Sequence, residues 1–272
     1  MILTWLGRAA LYLALLAPIV GVVDQGRALA RHRRSHALVV AIVTMVGIAG
    51  AVGVMQYALV THNFSLAYVA ENNATFTPLL YSITGMWSAL EGSLLLWVLL
   101  LDALVLGVVV YYRREARDAV VGWATLVLFA VTTFFTLLVV GPADPFLANP
   151  AVVHQGAGPN ALLQDNPLVA MHPPLLYLGF VGFTVPFAFA VAMLITGRVQ
   201  DRWPLEQRRW SVLAWGALSV GIVLGAWWSY QVLGWGGFWG WDPVENAALL
   251  PWLTGTAYIH SVIVQDRRGL FR

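Results

Sequence analysis

Apolar runs recur along this chain near residues 3–23, 37–60, 93–112, 119–140, 175–196, 211–228 and 248–264. Each is about long enough to cross the ~30 Å hydrocarbon core of a bilayer as a helix. Inside lipid, water cannot satisfy an unpaired backbone amide, so such runs must close their hydrogen bonds internally as helices. The composition agrees, with 60% apolar and 10% charged residues. The expected fold is an all-α integral membrane protein. It is a single bundle over residues 1–272 with about seven transmembrane helices.

Charge placement orients that bundle. All fifteen basic residues are Arg. They cluster at Arg27, Arg31, Arg33 and Arg34, at Arg113, Arg114 and Arg117, at Arg198, Arg202, Arg208 and Arg209, and at Arg267, Arg268 and Arg272, leaving only Arg8 apart. The positive-inside rule assigns all four groups to the cytoplasm, which puts the N-terminus outside. The outer loops, roughly 61–92, 141–174 and 229–247, then contain neither Arg nor Lys. Within the first of them, residues 78–93 are apolar but carry Glu91 and two Gly, which suits an interfacial helix better than a span. Residues 1–23 lack a positive start and a small-residue cleavage site, so a retained first span is expected rather than a removed signal peptide. The chain has no Cys, so any thiol in its chemistry must come from a partner. Nucleotide-binding Gly loops, a nucleophile elbow and metal-spaced His pairs are missing from the sequence, and no nucleic-acid partner is expected.

Residues 227–252 hold six of the thirteen Trp, around the run Trp-Gly-Gly-Phe-Trp-Gly-Trp-Asp-Pro-Val-Glu-Asn at 235–246. Indoles spaced by Gly offer flat apolar faces together with close backbone approach, a surface suited to a large planar ligand such as a porphyrin. The competing reading is an aromatic belt at the membrane boundary, although a belt needs scattered Trp and Tyr at both faces.

Of six His, His32 and His36 accompany the first Arg group, and His62 and His154 fall in outer loops where a surface role is the default. His172 precedes Pro173 and Pro174 at the outer entrance to the fifth span. There the sequence predicts an extended residue at a rigid corner, on the side of the Trp strip. Neutral imidazole is a common axial ligand of haem iron, and a hydrogen bond to a loop carbonyl is the alternative role. His260 lies inside the seventh span, where a polar group is expected to face the bundle interior, as a haem ligand or in an interhelical hydrogen bond. Asp242 and Glu245 have the spacing of a capping box opening the seventh span. Asp102 and Glu91 are expected to bond between helices.

Taken together, the strip at 235–246 resembles the tryptophan-rich signature of haem-handling proteins in cytochrome c maturation. Further runs narrow the resemblance to the CcmF/NrfE family of haem lyases. They are Phe-Ser-Leu-Ala-Tyr-Val-Ala at 64–70, Glu-Gly-Ser-Leu-Leu-Leu-Trp at 91–97, Asn-Ala-Leu-Leu-Gln-Asp at 160–165, His-Pro-Pro-Leu-Leu-Tyr at 172–177 and Pro-Trp-Leu-Thr-Gly-Thr at 251–256 with His260 and Ser261. The resemblance implies a haem lyase subunit of the bacterial inner membrane, with its functional loops on the periplasmic side. Haem delivered by the chaperone CcmE would lie on the platform formed by Trp235, Gly236, Gly237, Phe238, Trp239, Trp241 and Asp242, with His172 as one axial ligand. Thiols of apocytochrome c would add to its vinyl groups. A separate haem b in the bilayer would take His260 as one ligand. CcmH/CcmI-type subunits would handle thiols and apocytochrome.

The resemblance also implies a second ligand for each haem in a C-terminal half downstream of this segment, expected as a separate polypeptide or as the rest of a longer chain, and little activity without it. Phe238 and Gly240 stand where the family commonly has bulkier residues, which implies weaker stacking. Haem propionates are anionic, yet the outer loops hold no cation, so donors around Tyr230 and Asn246 or helix N-termini would have to serve. Competing readings are a CcmC-like haem exporter or presenter, a b-haem quinol electron-transfer subunit, and a scaffold that only docks partners. The first needs an outer His after the strip and the second needs paired His in the bilayer.

Overall fold

A computed structural model describes residues 1–161, 166–198, 203–232 and 237–268, apart from the side chains of Pro204 and Asp266. The described elements are α1 (Ile2–Ala30), α2 (Ala37–Val60), α3 (Ala67–Asn72), α4 (Leu79–Thr84), α5 (Leu90–Tyr111), α6 (Ala119–Val140), α7 (Leu168–Gly182), α8 (Thr184–Thr196), α9 (Trp203–Val232) and α10 (Pro243–Arg268). Seven spans are long and apolar enough to cross a membrane, the fifth being α7 and α8 together. All-α architecture and the number of crossings therefore follow the hydropathy pattern.

Several boundaries do not. The segment expected as one interfacial helix over 78–93 is the short α4 followed by a 3-10 turn, Gly85–Trp87, and α5 already begins at Leu90. The fifth span starts at Leu168, ahead of the proline pair, and breaks at Phe183. Pro186 explains the break. It has no N–H to return to the Gly182 carbonyl, and its ring crowds the preceding turn.

The core runs through α1, α2, α5, α6 and α8, where residues such as Ile48, Met55, Leu101, Leu128 and Phe189 are fully enclosed. Among the described residues, a smaller buried apolar cluster of Leu176, Leu218 and Ala248 joins α7, α9 and α10. Arg8, the one basic residue outside the clusters, forms an ion pair with Asp144 at 2.7 Å, which compensates its charge at the end of α1. Arg198 reaches Asp118 at 2.8 Å, and Arg209 meets the Tyr111 hydroxyl, so the second and third Arg groups come together at one end of the bundle. Asp102 is buried in the middle of α5, with the Thr132 hydroxyl of α6 beside it as its polar neighbour across the helix pair. Glu91 lies in the first turn of α5, where the helix dipole favours an acid.

Candidate functional site

Three helices build the site: the first half of α7, the end of α9 and the start of α10. They approach closely because glycines line the crossing. A Cβ on Gly221 would lie 2.8 Å from the backbone of Leu176, and one on Gly225 would lie 2.5 Å from the His172 ring. Sequence reasoning did not assign these two glycines, although their spacing along one face of α9 carried the signal.

His172 is not the extended corner residue expected. It sits inside α7, more than a turn from the helix start, because the Asn166 carboxamide oxygen accepts the Leu168 N–H at 2.9 Å and opens the helix early. The same carboxamide donates to the Gln231 Oε1 at 2.7 Å, tying the start of α7 to the end of α9. The half-buried His172 ring bonds through Nδ1 to the Gly221 carbonyl at 2.8 Å. A carbonyl only accepts, so Nδ1 carries the proton and Nε2 keeps the lone pair of the neutral ring. That hydrogen bond is the kind that orients a metal-ligating imidazole and raises its basicity. The ring also stacks on Trp228, with centroids 6.3 Å apart and planes 13° from parallel.

His172 lines a cavity of about 80 Å³ together with Gly225, Trp228, Trp239, Asp242 and Ala248. A pocket that encloses an organic cofactor usually measures about 300–1,000 Å³. The cavity is therefore too small to enclose a porphyrin. The buried Nε1–H groups of both Trp228 and Trp239 lack a hydrogen-bond partner among the described residues. Buried donors normally find one, so these two suit an acceptor brought by a ligand. They provide polar groups that the sequence reading had sought around Tyr230 and Asn246. Tyr230 instead stacks on Phe238, with centroids 4.5 Å apart, and the Asn246 side chain donates to the Trp241 carbonyl at 3.0 Å.

The strip itself is fixed by its caps. Asp242 Oδ1 accepts the Glu245 N–H at 2.7 Å, and Glu245 Oε2 accepts from Gly240 at 2.7 Å and Asp242 at 3.3 Å, the reciprocal bonding expected of the capping box. Trp241 between them is held at φ 58°, an uncommon conformation for a bulky residue. It presents 68% of its surface, and Phe238 presents 57%. Ser229 donates to the Gly237 carbonyl at 3.2 Å. Trp235 and Gly236 lie outside the described residues. Trp252, at the far end of the Trp-rich stretch, turns away from the strip and stacks on Trp215 between α9 and α10.

His260 reverses another expectation. It is exposed on the outside of the described bundle, because α10 packs almost entirely on α9 and turns this face away from it. Its Nδ1 bonds to the Thr256 carbonyl at 2.8 Å, so Nε2 is again the free electron-pair donor. Ala248, which lines the His172 cavity, stands about 18 Å along the α10 axis from His260 at the usual helical rise. The two imidazoles therefore serve separate places. His62 and His154 share a different groove, and His36 bonds to Asp24 beside the first Arg group. No group of three or more His, Cys, Asp or Glu side chains converges among the described residues.

Comparison with known proteins adds an independent line. The family described as Cytochrome C assembly protein matches residues 87–271. The cytochrome c-type biogenesis protein CcmF of Pseudomonas fluorescens is 44% identical over 82% of this chain, and that of Escherichia coli K12 is 41% identical over 97%. The probable biogenesis protein NrfE of Escherichia coli K12 is 40% identical over 81%. These matches span 34%, 40% and 40% of the relatives' own lengths. A solved structure titled Cytochrome c Heme Lyase CcmF superposes with a TM-score of 0.81 at 38% identity, covering 99% of this chain and 43% of that one.

Proposed function

The chain belongs to the cytochrome c assembly protein family, and from that premise we propose that it is a subunit of a cytochrome c haem lyase. On this reading His172 and the strip from Trp235 to Asp242 hold haem on the periplasmic side of the bacterial inner membrane. His260 contributes one ligand to a haem b within the bilayer. When bound, the haem supplies vinyl groups to which apocytochrome thiols add.

The observation that carries the reading is the His172 environment. Gly221 holds Nδ1–H, which leaves Nε2 to ligate iron, and two buried indole N–H groups alongside await an acceptor such as a propionate oxygen. Trp241 and Phe238 supply exposed aromatic faces beside them. The caps from Glu245 hold those faces in place, which limits the reorganisation required when a planar ligand arrives.

The chain spans about two fifths or less of its relatives' length, and among the described residues neither His172 nor His260 belongs to a group of three or more His, Cys, Asp or Glu side chains. We therefore assign the opposing ligand of each haem to polypeptide corresponding to the rest of the relatives. CcmE as haem donor, apocytochrome c as thiol donor and CcmH/CcmI-type subunits are the partners this reading requires. Haemin titration of the purified protein in lipid nanodiscs, followed at the Soret band, tests the platform. Binding that His172→Ala weakens strongly supports the reading. Equal binding by both proteins removes it.

A further inference from the structure

We propose that Trp87 is a positioning residue for His172, acting through the Val169 carbonyl that Pro173 leaves without its helical donor. The proposal rests on reading His172 as an iron ligand. In a regular helix the N–H of residue 173 would close onto the carbonyl of residue 169, and proline has no N–H to give. Val169 is buried, so water is a poor replacement. The indole N–H of Trp87 takes the position instead, at 2.9 Å. The bond joins residues 82 positions apart, from the first loop to the helix carrying His172.

Trp87 is itself held firmly. It ends the 3-10 turn Gly85–Trp87, and the single hydroxyl proton of buried Tyr68 is shared between the Gly85 and Met86 carbonyls, each at 2.9 Å. Burial pushes that hydroxyl's pKa up, so it remains a donor. Ser93 Oγ donates to the Trp87 carbonyl at 3.0 Å, and Ser88 Oγ to that of Gly85 at 2.8 Å. Gly92 is obligatory here, since a Cβ would stand 1.7 Å from the Met86 oxygen. The runs at 64–70 and 91–97, which no ligand role absorbed, thus meet in one knot whose outlet is the Trp87 indole.

Val169 precedes His172 by one turn of the same helix. Trp87 fixes that turn from the first loop, while Gly221 and Trp228 fix the imidazole from α9. Loss of the indole donor leaves the freed carbonyl to seek another partner, and the turn bearing His172 shifts with it. The Nδ1–Gly221 bond then lengthens, and Nε2 loses both aim and basicity.

A double-mutant cycle tests this, using the full chain with its native partners in nanodiscs and haemin as probe. Trp87→Phe keeps the ring and removes the donor, and it is expected to weaken haemin binding about five- to tenfold, the worth of one hydrogen bond. In a Pro173→Ala background the helix supplies its own N–H to Val169. There Trp87→Phe is expected to change affinity by less than about twofold, because the carbonyl already has its partner. Equal losses in the two backgrounds would mean that Trp87 merely packs, and would overturn the proposal. Should Trp87→Phe alone fail to assemble, assembly restored by Pro173→Ala supports it, and continued failure of the double variant counts against it. His172→Ala serves as reference. If it binds haemin like the parent, the ligand reading fails, and the role given to Trp87 fails for that separate reason.

Discussion

His172 and His260 prepare the same atom in opposite surroundings. Each gives its Nδ1–H to a main-chain carbonyl at 2.8 Å and so leaves the lone pair on Nε2. His172 is half-buried at the meeting of three helices, stacked on Trp228 and walled by Gly225. His260 stands exposed on one helix whose span is 22% buried, compared with 44% for the α7–α8 span that carries His172. Preparing a ligand atom is thus a local matter that one carbonyl settles. Enclosing a site is a tertiary matter, met at His172 and not at His260 among the described residues.

The strongest way to break that comparison is to cross the two substitutions in the native complex. His260→Ala is expected to remove a b-type signal from the reduced-minus-oxidised spectrum while haemin still binds the Trp strip. His172→Ala is expected to do the reverse. Each effect should exceed the ten- to hundredfold typical of losing a residue that only supports a ligand. If either substitution abolishes both signals, the sites are not independent and the separation along α10 has been misread.

A smaller effect sharpens what enclosure contributes. Gly225→Ala places a methyl against the His172 ring, where something must move. Overpacking of this kind costs about 1–3 kcal/mol, and here it falls on the ligand itself. Gly216, on the same helix with nothing within 4 Å, provides the control. Gly216→Ala should leave haemin binding unchanged and stabilise α9 by up to about 1 kcal/mol. Thermal unfolding and Soret titration of the pair separate ring displacement from general change in the helix. Equal effects of the two substitutions would remove Gly225 from the site.

These residues also show what the sequence could and could not reveal. The spans were legible because hydropathy over about twenty residues is a local property, and the Asp242–Glu245 cap was legible because its partners lie three residues apart. The start of α7 was misplaced because Pro173 and Pro174 look like a helix opening. The competing signal, Asn166 followed by Pro167, was present but depends on which of two proline positions begins the helix. Once α7 begins at Leu168, the freed Val169 carbonyl needs a distant donor, and no local pattern announces Trp87. The outward face of His260 was illegible for a related reason. Burial of a polar residue in a span depends on which helices pack there, and α10 has one principal neighbour.

The caps allow a third, milder test. Glu245→Ala removes the acceptor for the Gly240 and Asp242 N–H groups and should cost about 0.5–2 kcal/mol, the usual value of a helix cap. Glu245→Gln keeps an acceptor oxygen and should lose less. Faster hydrogen exchange of residues 237–242 in the Ala variant, with the Thr256–His260 turn unchanged, would confine the cap to the His172 side. Equal exchange in both regions would make it a support for α10 as a whole.

The smallest expected effect asks whether the two regions are mechanically separate. Between them, α9 and α10 are joined by a reciprocal pair. Trp215 donates to Thr256 Oγ1 and Trp252 to Ser219 Oγ, each at 2.7 Å, and each hydroxyl donates in turn to the carbonyl of the Trp on its own helix. Ser219→Ala removes one arm and should cost about 0.5–1.5 kcal/mol. Trp215→Phe removes the other, and that arm ends on the residue whose carbonyl holds His260. If the pair only sets the register of two helices, both substitutions should shift the midpoint potential of the b-type signal and the haemin affinity of the strip together and slightly. If it also aims His260, Trp215→Phe should move the potential while leaving haemin affinity alone, and Ser219→Ala should move neither. The second pattern would mean that His260, exposed as it is, borrows its rigidity from a hydrogen-bond chain inside the hairpin. A neighbouring polypeptide would then need to add the opposing ligand and enclosure, but not the aim of His260.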